Sequence, residues 1–243
     1  MKIHPASQIL LIILLWLAGN TWAGPFTVSP VRIYMTPSDK AVAVTINNDS
    51  DKDLVMQADV YTWKQRPNGE DDLALTEDLL LSPPIIKLGP KMRQVVRLAR
   101  LHPVQQARQQ TYRLIVREIP EARPKTENIQ LQIAVAFSIP IFITPPNTKY
   151  QLECKTARTA ADSASVSCRN NGTAYAQIID FSLVGMNGDK LASRSNGGYI
   201  LPEIERNFDI KSENGKPVPA GNAKLTVMLD DGSKQSFDVT LAP

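Results

Sequence analysis

The longest alternation of apolar and polar positions lies at residues 129–143, which read IQLQIAVAFSIPIFI. Every odd position in this stretch is a large apolar residue, and the even positions before Pro140 are small or polar. Side chains on a strand alternate between its two faces, so the pattern predicts one long strand over 128–143 with a wholly apolar face. A strand that extends beyond its own sheet leaves apolar side chains for another molecule to bury. The pattern therefore indicates a partner protein.

Shorter β-type runs separated by Pro, Gly, Asn and Asp fill the rest of the chain, and no helical periodicity lasts four turns. We read 26–34 as one strand and the acidic residues 70–72 as a hairpin turn. About seven or eight short strands before residue 144 are typical of an immunoglobulin-like sandwich. Pro145 and Pro146 predict a stiff linker at 144–147. Beyond it, short β-type runs separated by turn residues continue in a smaller second half. We therefore predict an all-β chain with domains at 24–144 and 145–243.

The first 23 residues have the pattern of a secretory signal peptide. Lys2 precedes the apolar run at 9–18, and small residues Thr21 and Ala23 lie at the −3 and −1 positions of a cleavage site. An apolar run of about ten residues is too short to span a bilayer. We expect export and cleavage after Ala23.

Cys154 and Cys168 are the two cysteines, 14 residues apart around a turn-like segment. In an exported chain such a pair forms a disulfide more often than a metal site. A zinc site would need both thiols reduced together with His102, the one histidine beyond the leader. We expect a bridge across a hairpin.

The remaining composition offers little chemistry. The formal net charge is +3, which does not indicate a nucleic-acid partner. No Gly-x-Ser-x-Gly elbow accompanies His102, no Gly-rich loop could hold a phosphate, and the acidic run at 70–72 lacks calcium-ligand spacing. We expect no enzymatic activity, no metal and no cofactor.

Six motifs occur in an order that resembles the periplasmic pilus-assembly chaperones of the chaperone–usher pathway. They are SPVRIYM at 29–35, SPP at 82–84, LGP at 88–90, VVRL at 95–98, VREIP at 116–120 and LQIA at 131–134. The resemblance covers the first domain; in the second it rests on size, strand count and Leu201-Pro202. It implies two immunoglobulin-like β-sandwich domains in an L-shaped arrangement, located in the periplasm.

The resemblance also implies a mechanism, donor-strand complementation. The chaperone lends its long strand to a pilus subunit that lacks one, and delivers the capped subunit to an outer-membrane usher. The lent side chains would be those on the apolar face: Leu131, Ile133, Val135, Phe137 and Ile139. Burying each contributes about 1.5–3 kcal/mol. The alternative is that these residues are ordinary sandwich core, which we expect for 141–143.

Arg32 lies where the family has an arginine that binds the subunit's C-terminal carboxylate between the domains; the alternative is a surface arginine. Better-studied members add a lysine on the long strand, and the matching position here is Pro140. Arg113, on the preceding strand, is our candidate replacement. The missing lysine and the Tyr112-Arg113 pair resemble the archaic, sigma-type branch.

Two other classes remain open. A structural or adhesive fimbrial subunit of two sandwiches is the main alternative, and a carbohydrate-binding or hydrolytic sandwich is the other. For the chaperone without a bound subunit we expect either self-association through 129–139 or mobility of that segment, because an uncovered apolar edge is an aggregation hazard.

Overall fold

The computed structural model describes residues 25–66, 68–102, 107–120 and 134–242, which form strands and one short 3-10 turn. The first ten strands are β1 (Phe26–Ser29), β2 (Ile33–Met35), β3 (Ala41–Asn48), β4 (Leu54–Gln65), β5 (Asp71–Leu75), β6 (Leu79–Ser82), β7 (Ile85–Leu88), β8 (Arg93–Arg100), β9 (Gln110–Glu118) and β10 (Ala136–Ile143). The remainder are β11 (Leu152–Ala160), β12 (Ser163–Asn170), β13 (Ala176–Gly185), β14 (Lys190–Ile200), β15 (Glu205–Lys211), η1 (Glu213–Gly215), β16 (Gly221–Leu229) and β17 (Lys234–Leu241). The described part contains no helix long and apolar enough to cross a membrane.

The first ten strands form a sandwich of two sheets. One has the order β1-β3-β8-β6, and the other has the order β2-β10-β9-β4-β5 with β7 also paired to β4. Alternate side chains of both sheets point inward and form one core that includes Val44, Leu98, Leu114, Val116 and Ile141. This confirms the predicted immunoglobulin-like fold.

The stretch 26–34 is two strands, so the prediction of one was wrong. β1 pairs with β3 in the first sheet, whereas β2 pairs in parallel with β10 in the second. The inward positions change from even to odd, since Phe26 and Val28 are buried before the crossing and Ile33 after it. Pro30 lies at the crossing, where it interrupts the strand because it cannot donate a ladder hydrogen bond.

The predicted turn at 70–72 was also wrong for two of its residues. Asp71 and Asp72 begin β5, which pairs with the end of β4. The reversal lies just before them, where Gly69 has a φ of 86° and the Gly69 N–H donates to the Arg66 carbonyl. Asp71 is held in the strand because its carboxylate accepts a hydrogen bond from the Trp63 indole, at 2.7 Å.

The last seven strands form one sheet, in the order β11-β12-β15-β14-β13-β16-β17, folded around a second core. Phe181 and Phe208 pack against each other near its centre, with 4.8 Å between ring centroids. Cys154 on β11 and Cys168 on β12 are directly opposite each other and form the predicted disulfide across this hairpin.

A third apolar cluster lies between the two cores. Trp63 and Phe142 from the first ten strands meet Leu201 from the C-terminal half, and Tyr175 and Tyr199 pack against them. Two buried glutamines join the halves by hydrogen bonds to the backbone. Gln65 accepts from the Leu201 N–H at 2.9 Å, and Gln109 accepts from the Tyr175 N–H at 2.9 Å.

Candidate functional site

The strand predicted over 128–143 begins at Ala136 in the structure, and its first part, up to residue 133, lies outside the described residues. β10 pairs antiparallel with β9 along its whole length, from Ala136 opposite Arg117 to Ile143 opposite Gln110. On its other side β2 pairs only with 141–143. No described strand covers that side of 136–140, and we call this segment the open edge of the described sheet.

The predicted donor side chains divide along this strand. Val135 and Phe137 are partly buried against the domain's own core, and the Phe137 ring meets Phe26 edge-on with 5.0 Å between centroids. Ile139 is only 3% exposed, because it lies between the two sheets. Its assignment as a lent residue is therefore corrected: in this conformation Ile139 is core. Leu131 and Ile133 lie outside the described residues.

Pro140 is compatible with this edge because of its phase in the ladder. The Glu118 N–H donates to the carbonyl of Val135 at 3.0 Å, so Val135 and the odd residues that follow face β9 with their backbone groups. The even residues direct their N–H groups to the open side. Pro140 is one of these even residues, so its missing N–H removes no hydrogen bond to β9. Ala136 and Ser138 are then the two outward donors between 136 and 140.

Arg113 lies directly opposite Pro140 in the β9–β10 pairing. Its guanidinium stacks on the Trp63 ring at 3.7 Å from the centroid and donates to the Asp71 carboxylate at 3.1 Å. The side chain is 13% exposed. Burial lowers the pKa of Arg113, and the nearby Asp71 carboxylate acts in the opposite direction. A largely buried cation from the neighbouring strand thus lies beside Pro140.

Arg32 lies between β1 and β2, on the side that faces the C-terminal half. Its Nη1 donates to Asp230 Oδ2 at 2.6 Å and to the Tyr34 hydroxyl at 3.0 Å. Burial lowers the pKa of Arg32, but the hydrogen bonds that Arg32 donates to Tyr34 and Asp230, with the nearby Tyr199, outweigh this effect and raise the pKa overall. The Tyr34 hydroxyl continues the network to Tyr175, at 2.8 Å.

The two arginines meet at one aromatic ring. The guanidinium carbons of Arg32 and Arg113 are 5.7 and 5.8 Å from the centroid of Tyr199. We call this surface the arginine cleft; it consists of Arg32, Arg113 and Tyr199 together with their partners Asp71 and Asp230. A guanidinium group is a fork of N–H donors that suits a carboxylate, and here each of the two already contacts an aspartate of the protein.

Sequence reasoning found the two arginines but missed their acidic partners and the aromatic rings. Asp230 had no distinguishing pattern, since it precedes the Asp231-Gly232 hairpin signal. Arg117, further along β9, forms an ion pair with Asp59 at 2.7 Å. The described residues contain no group of three or more potential metal ligands.

Comparison with known proteins gives one family match. The family described as "Pili and flagellar-assembly chaperone, PapD N-terminal domain" matches residues 25–149, which include the whole first sandwich. The match covers the open edge of β10, Arg32 and Arg113. The chain belongs to this family of pilus-assembly chaperones.

Individual relatives agree with this assignment. The chain is 28% identical over 141 residues to "Chaperone protein LpfB" of Salmonella typhimurium, a match covering 57% of each protein. It is 28% identical over 212 residues to "Chaperone protein PmfD" of Proteus mirabilis, covering 84% of this chain and 80% of PmfD. The chain thus spans little more than half of LpfB's length but most of PmfD's.

A solved structure extends the fold comparison to both halves. The CsuC–CsuE complex, a chaperone with a tip adhesion subunit from archaic Csu pili of Acinetobacter baumannii, contains a chain that superposes with a TM-score of 0.64 at 20% identity. The superposition covers 90% of this chain and 100% of that one. At this identity the match establishes a shared two-domain fold.

Proposed function

We propose that this protein is a periplasmic chaperone that caps a pilus subunit by donor-strand complementation and delivers it to an outer-membrane usher. The observation that carries the proposal is the open edge of β10. A strand with apolar side chains at Val135 and Phe137, paired with β9 on one side and with no described strand on the other side of 136–140, can complete the sheet of another molecule.

The lent residues in this proposal are Leu131, Ile133, Val135 and Phe137, without the buried Ile139. Four such side chains would contribute about 6–12 kcal/mol before ordering costs are subtracted. The names of LpfB and PmfD, and the adhesion subunit in the CsuC complex, support pilus subunits as the class of partner.

The arginine cleft would bind the terminal carboxylate of that subunit. Arg32 is the first cation, and Arg113 replaces the lysine that better-studied relatives have at the position of Pro140. The absence of the lysine is consistent with membership of the archaic branch. The CsuC chaperone, whose fold this chain shares, comes from an archaic pilus system.

The leader, with cleavage after Ala23, would direct the chain to the periplasm, where family members act. A binding role that depends on strand pairing and charge needs no catalytic group. We therefore propose that the protein is not an enzyme and uses no cofactor.

The donor face can be tested with a double variant in which both Ile133 and Val135 are replaced by Asp. A charged side chain cannot enter an apolar groove unpaired without a large penalty, so a tagged chaperone should no longer retain a co-expressed pilus subunit. The matched control replaces Ala134 and Ala136, which are exposed on the opposite face, with Asp. The control should retain the subunit.

Thermal unfolding of both variants separates binding from folding. We expect each double variant to melt as a folded protein. If the Ile133 and Val135 variant unfolds as well as losing the subunit, these side chains belong to the core and the donor-strand proposal fails.

A further inference from the structure

Asp230 occupies the arginine cleft from the C-terminal half of the molecule. It follows the last residue of β16, and its own N–H donates to the Gln177 carbonyl at 3.0 Å, which fixes the start of the turn. Its carboxylate lies 2.6 Å from Arg32, and the two side chains are 22% and 29% exposed. A carboxylate of the protein itself therefore already lies on the cation that the proposed function assigns to a subunit's carboxylate.

The two acidic residues of the cleft are held differently. Asp71 accepts hydrogen bonds from both the Trp63 indole and Arg113, so it is fixed by its own domain. For the Asp230 carboxylate, Arg32 is the one hydrogen-bonding partner that the described residues provide. Releasing Asp230 breaks a single contact, whereas releasing Asp71 would also leave the buried indole N–H unpaired.

The contact between the halves does not depend on Asp230. Trp63, Phe142 and Leu201 are buried together, and Gln65 and Gln109 hydrogen-bond across the same junction. These contacts remain when the Arg32–Asp230 pair separates. Asp230 can therefore leave Arg32 without separating the two sandwiches.

We propose that Asp230 is an internal competitor for the carboxylate site, and that an incoming terminal carboxylate displaces it from Arg32. This inference rests on the proposed function, because it concerns the same cleft. The exchange replaces one carboxylate by another on a guanidinium that already has the required geometry. A ligand carboxylate must then bind Arg32 more strongly than Asp230 does. Asp230 is therefore a specificity-determining residue.

The test uses the mature full chain and a defined probe, N-acetyl-tetraalanine, as the free acid and as the C-terminal amide. Binding is followed by NMR at the Arg32 side chain. Asp230→Asn should bind the free acid about five- to tenfold more tightly than the wild type, at the lower end of the range typical of a coupling between two ligands. The amide should bind both proteins equally. Equal or weaker binding of the free acid by Asp230→Asn would overturn the proposal.

Asp231→Asn is the matched control, because it removes the same charge from the next position. The Asp231 carboxylate contacts Ser233 and Tyr150 and not Arg32, so this variant should bind the free acid as the wild type does. If both variants bind the free acid more tightly, the cause is the loss of negative charge anywhere in the turn. That result would contradict the proposal that Asp230 itself competes for Arg32.

A measurement on the wild type decides the question if Asp230→Asn does not fold. The carboxyl-carbon signal of Asp230 should shift on saturation with the free acid and stay in place with the amide. An unmoved signal overturns the proposal, as does a free acid that binds nowhere in the cleft.

Subunit capture distinguishes this inference from the proposed function. If the wild type retains a co-expressed pilus subunit while Asp230→Asn binds the free acid no more tightly, only the competitor is refuted. If Asp230→Asn gains affinity for the free acid but no subunit is ever retained, only the chaperone function is refuted.

Discussion

Two buried asparagines have the same structural role, one in each sandwich. The Asn48 amide donates to the backbone carbonyls of Lys52, Leu88 and Gly89, and its oxygen accepts from Ser50. The Asn170 amide donates to the carbonyls of Ala174 and Ile200, and its oxygen accepts from the N–H groups of Gln151 and Gly172. Each side chain thus satisfies buried and part-buried backbone groups of the neighbouring loops.

Asn170→Ala should lower the free energy of unfolding by about 3 kcal/mol, because the change leaves several buried backbone groups without partners. Urea unfolding followed by fluorescence would measure the loss. The neighbouring Asn171 is exposed, and its side chain reaches only Glu153, at 3.4 Å. Asn171→Ala is therefore a matched control that should change stability by no more than about 0.5 kcal/mol. Similar losses for the two variants would contradict this role.

Arg113→Ala should weaken subunit binding by about 2 kcal/mol, roughly thirtyfold, because a carboxylate in the cleft would lose one of two cations. Arg117→Ala removes the same charge from the same face of β9, but its partner Asp59 lies away from the cleft. This control should bind almost normally. Affinity can be compared by titrating a labelled subunit into each variant. Unchanged binding by Arg113→Ala would assign the second cation elsewhere.

At the scale of elements, the sequence was enough to locate most strands. It was not always enough to tell which face of a strand is buried. In β8, in β9 and in β4 as far as Val60, buried residues fall on every second position, because one face of the strand lies on the core. At the end of β4 the phase changes, and Trp63 and Gln65 are buried against the C-terminal half. The crossing at Pro30 and the short strand β5 depend on which sheet or neighbour a segment joins. That information lies in distant residues, such as Trp63 for Asp71, and local pattern does not contain it.

The candidate site was predictable to a similar degree. The arginines could be named because a family motif and a missing lysine point to them. The ring of Tyr199 and the carboxylate of Asp230 lie far along the chain, and only folding of the second sandwich brings them beside Arg32.

Hydrogen exchange should reveal the open edge of β10 as an alternation. In the free monomer the amides of Phe137 and Ile139, which face β9, should be protected, whereas those of Ala136 and Ser138 should exchange fast. Phe142 is an internal control, because its even position directs its N–H to β2. Addition of a subunit should protect Ala136 and Ser138. Uniform protection without a subunit in a dilute monomer would mean that this edge is already paired.

The disulfide should act as a stabilising link and not as a reactive site. Replacing Cys154 and Cys168 with Ala should lower the stability of the second sandwich by about 3 kcal/mol in the chain-entropy model. Subunit capture should persist, because the open edge lies in the first sandwich. Thiol titration of the native protein gives a second measurement, and a readily reactive cysteine would argue against the link.

At the scale of the whole molecule, the two sandwiches share an interface built from aromatic rings and backbone hydrogen bonds. Phe142 stacks on Tyr175 with 4.1 Å between centroids, and Trp63 meets Tyr199 edge-on. Arg108 adds an ion pair to Glu203 at 2.6 Å, on the more exposed side. The arginine cleft therefore has one wall from each sandwich.

The pairing of each cleft arginine with an aspartate has a kinetic consequence. The charges of Arg32 and Asp230, and of Arg113 and Asp71, cancel at distances beyond a few ångströms. A carboxylate approaching through water meets little net field, so the cleft should not accelerate encounter as an uncompensated basic patch would. Raising the salt concentration from about 50 to 500 mM should leave the association rate constant for a subunit within about twofold, measured by stopped flow. A steep fall with salt would mean that encounter is governed by charge elsewhere on the surface. Recognition here would begin with strand contact and finish with the ion pair.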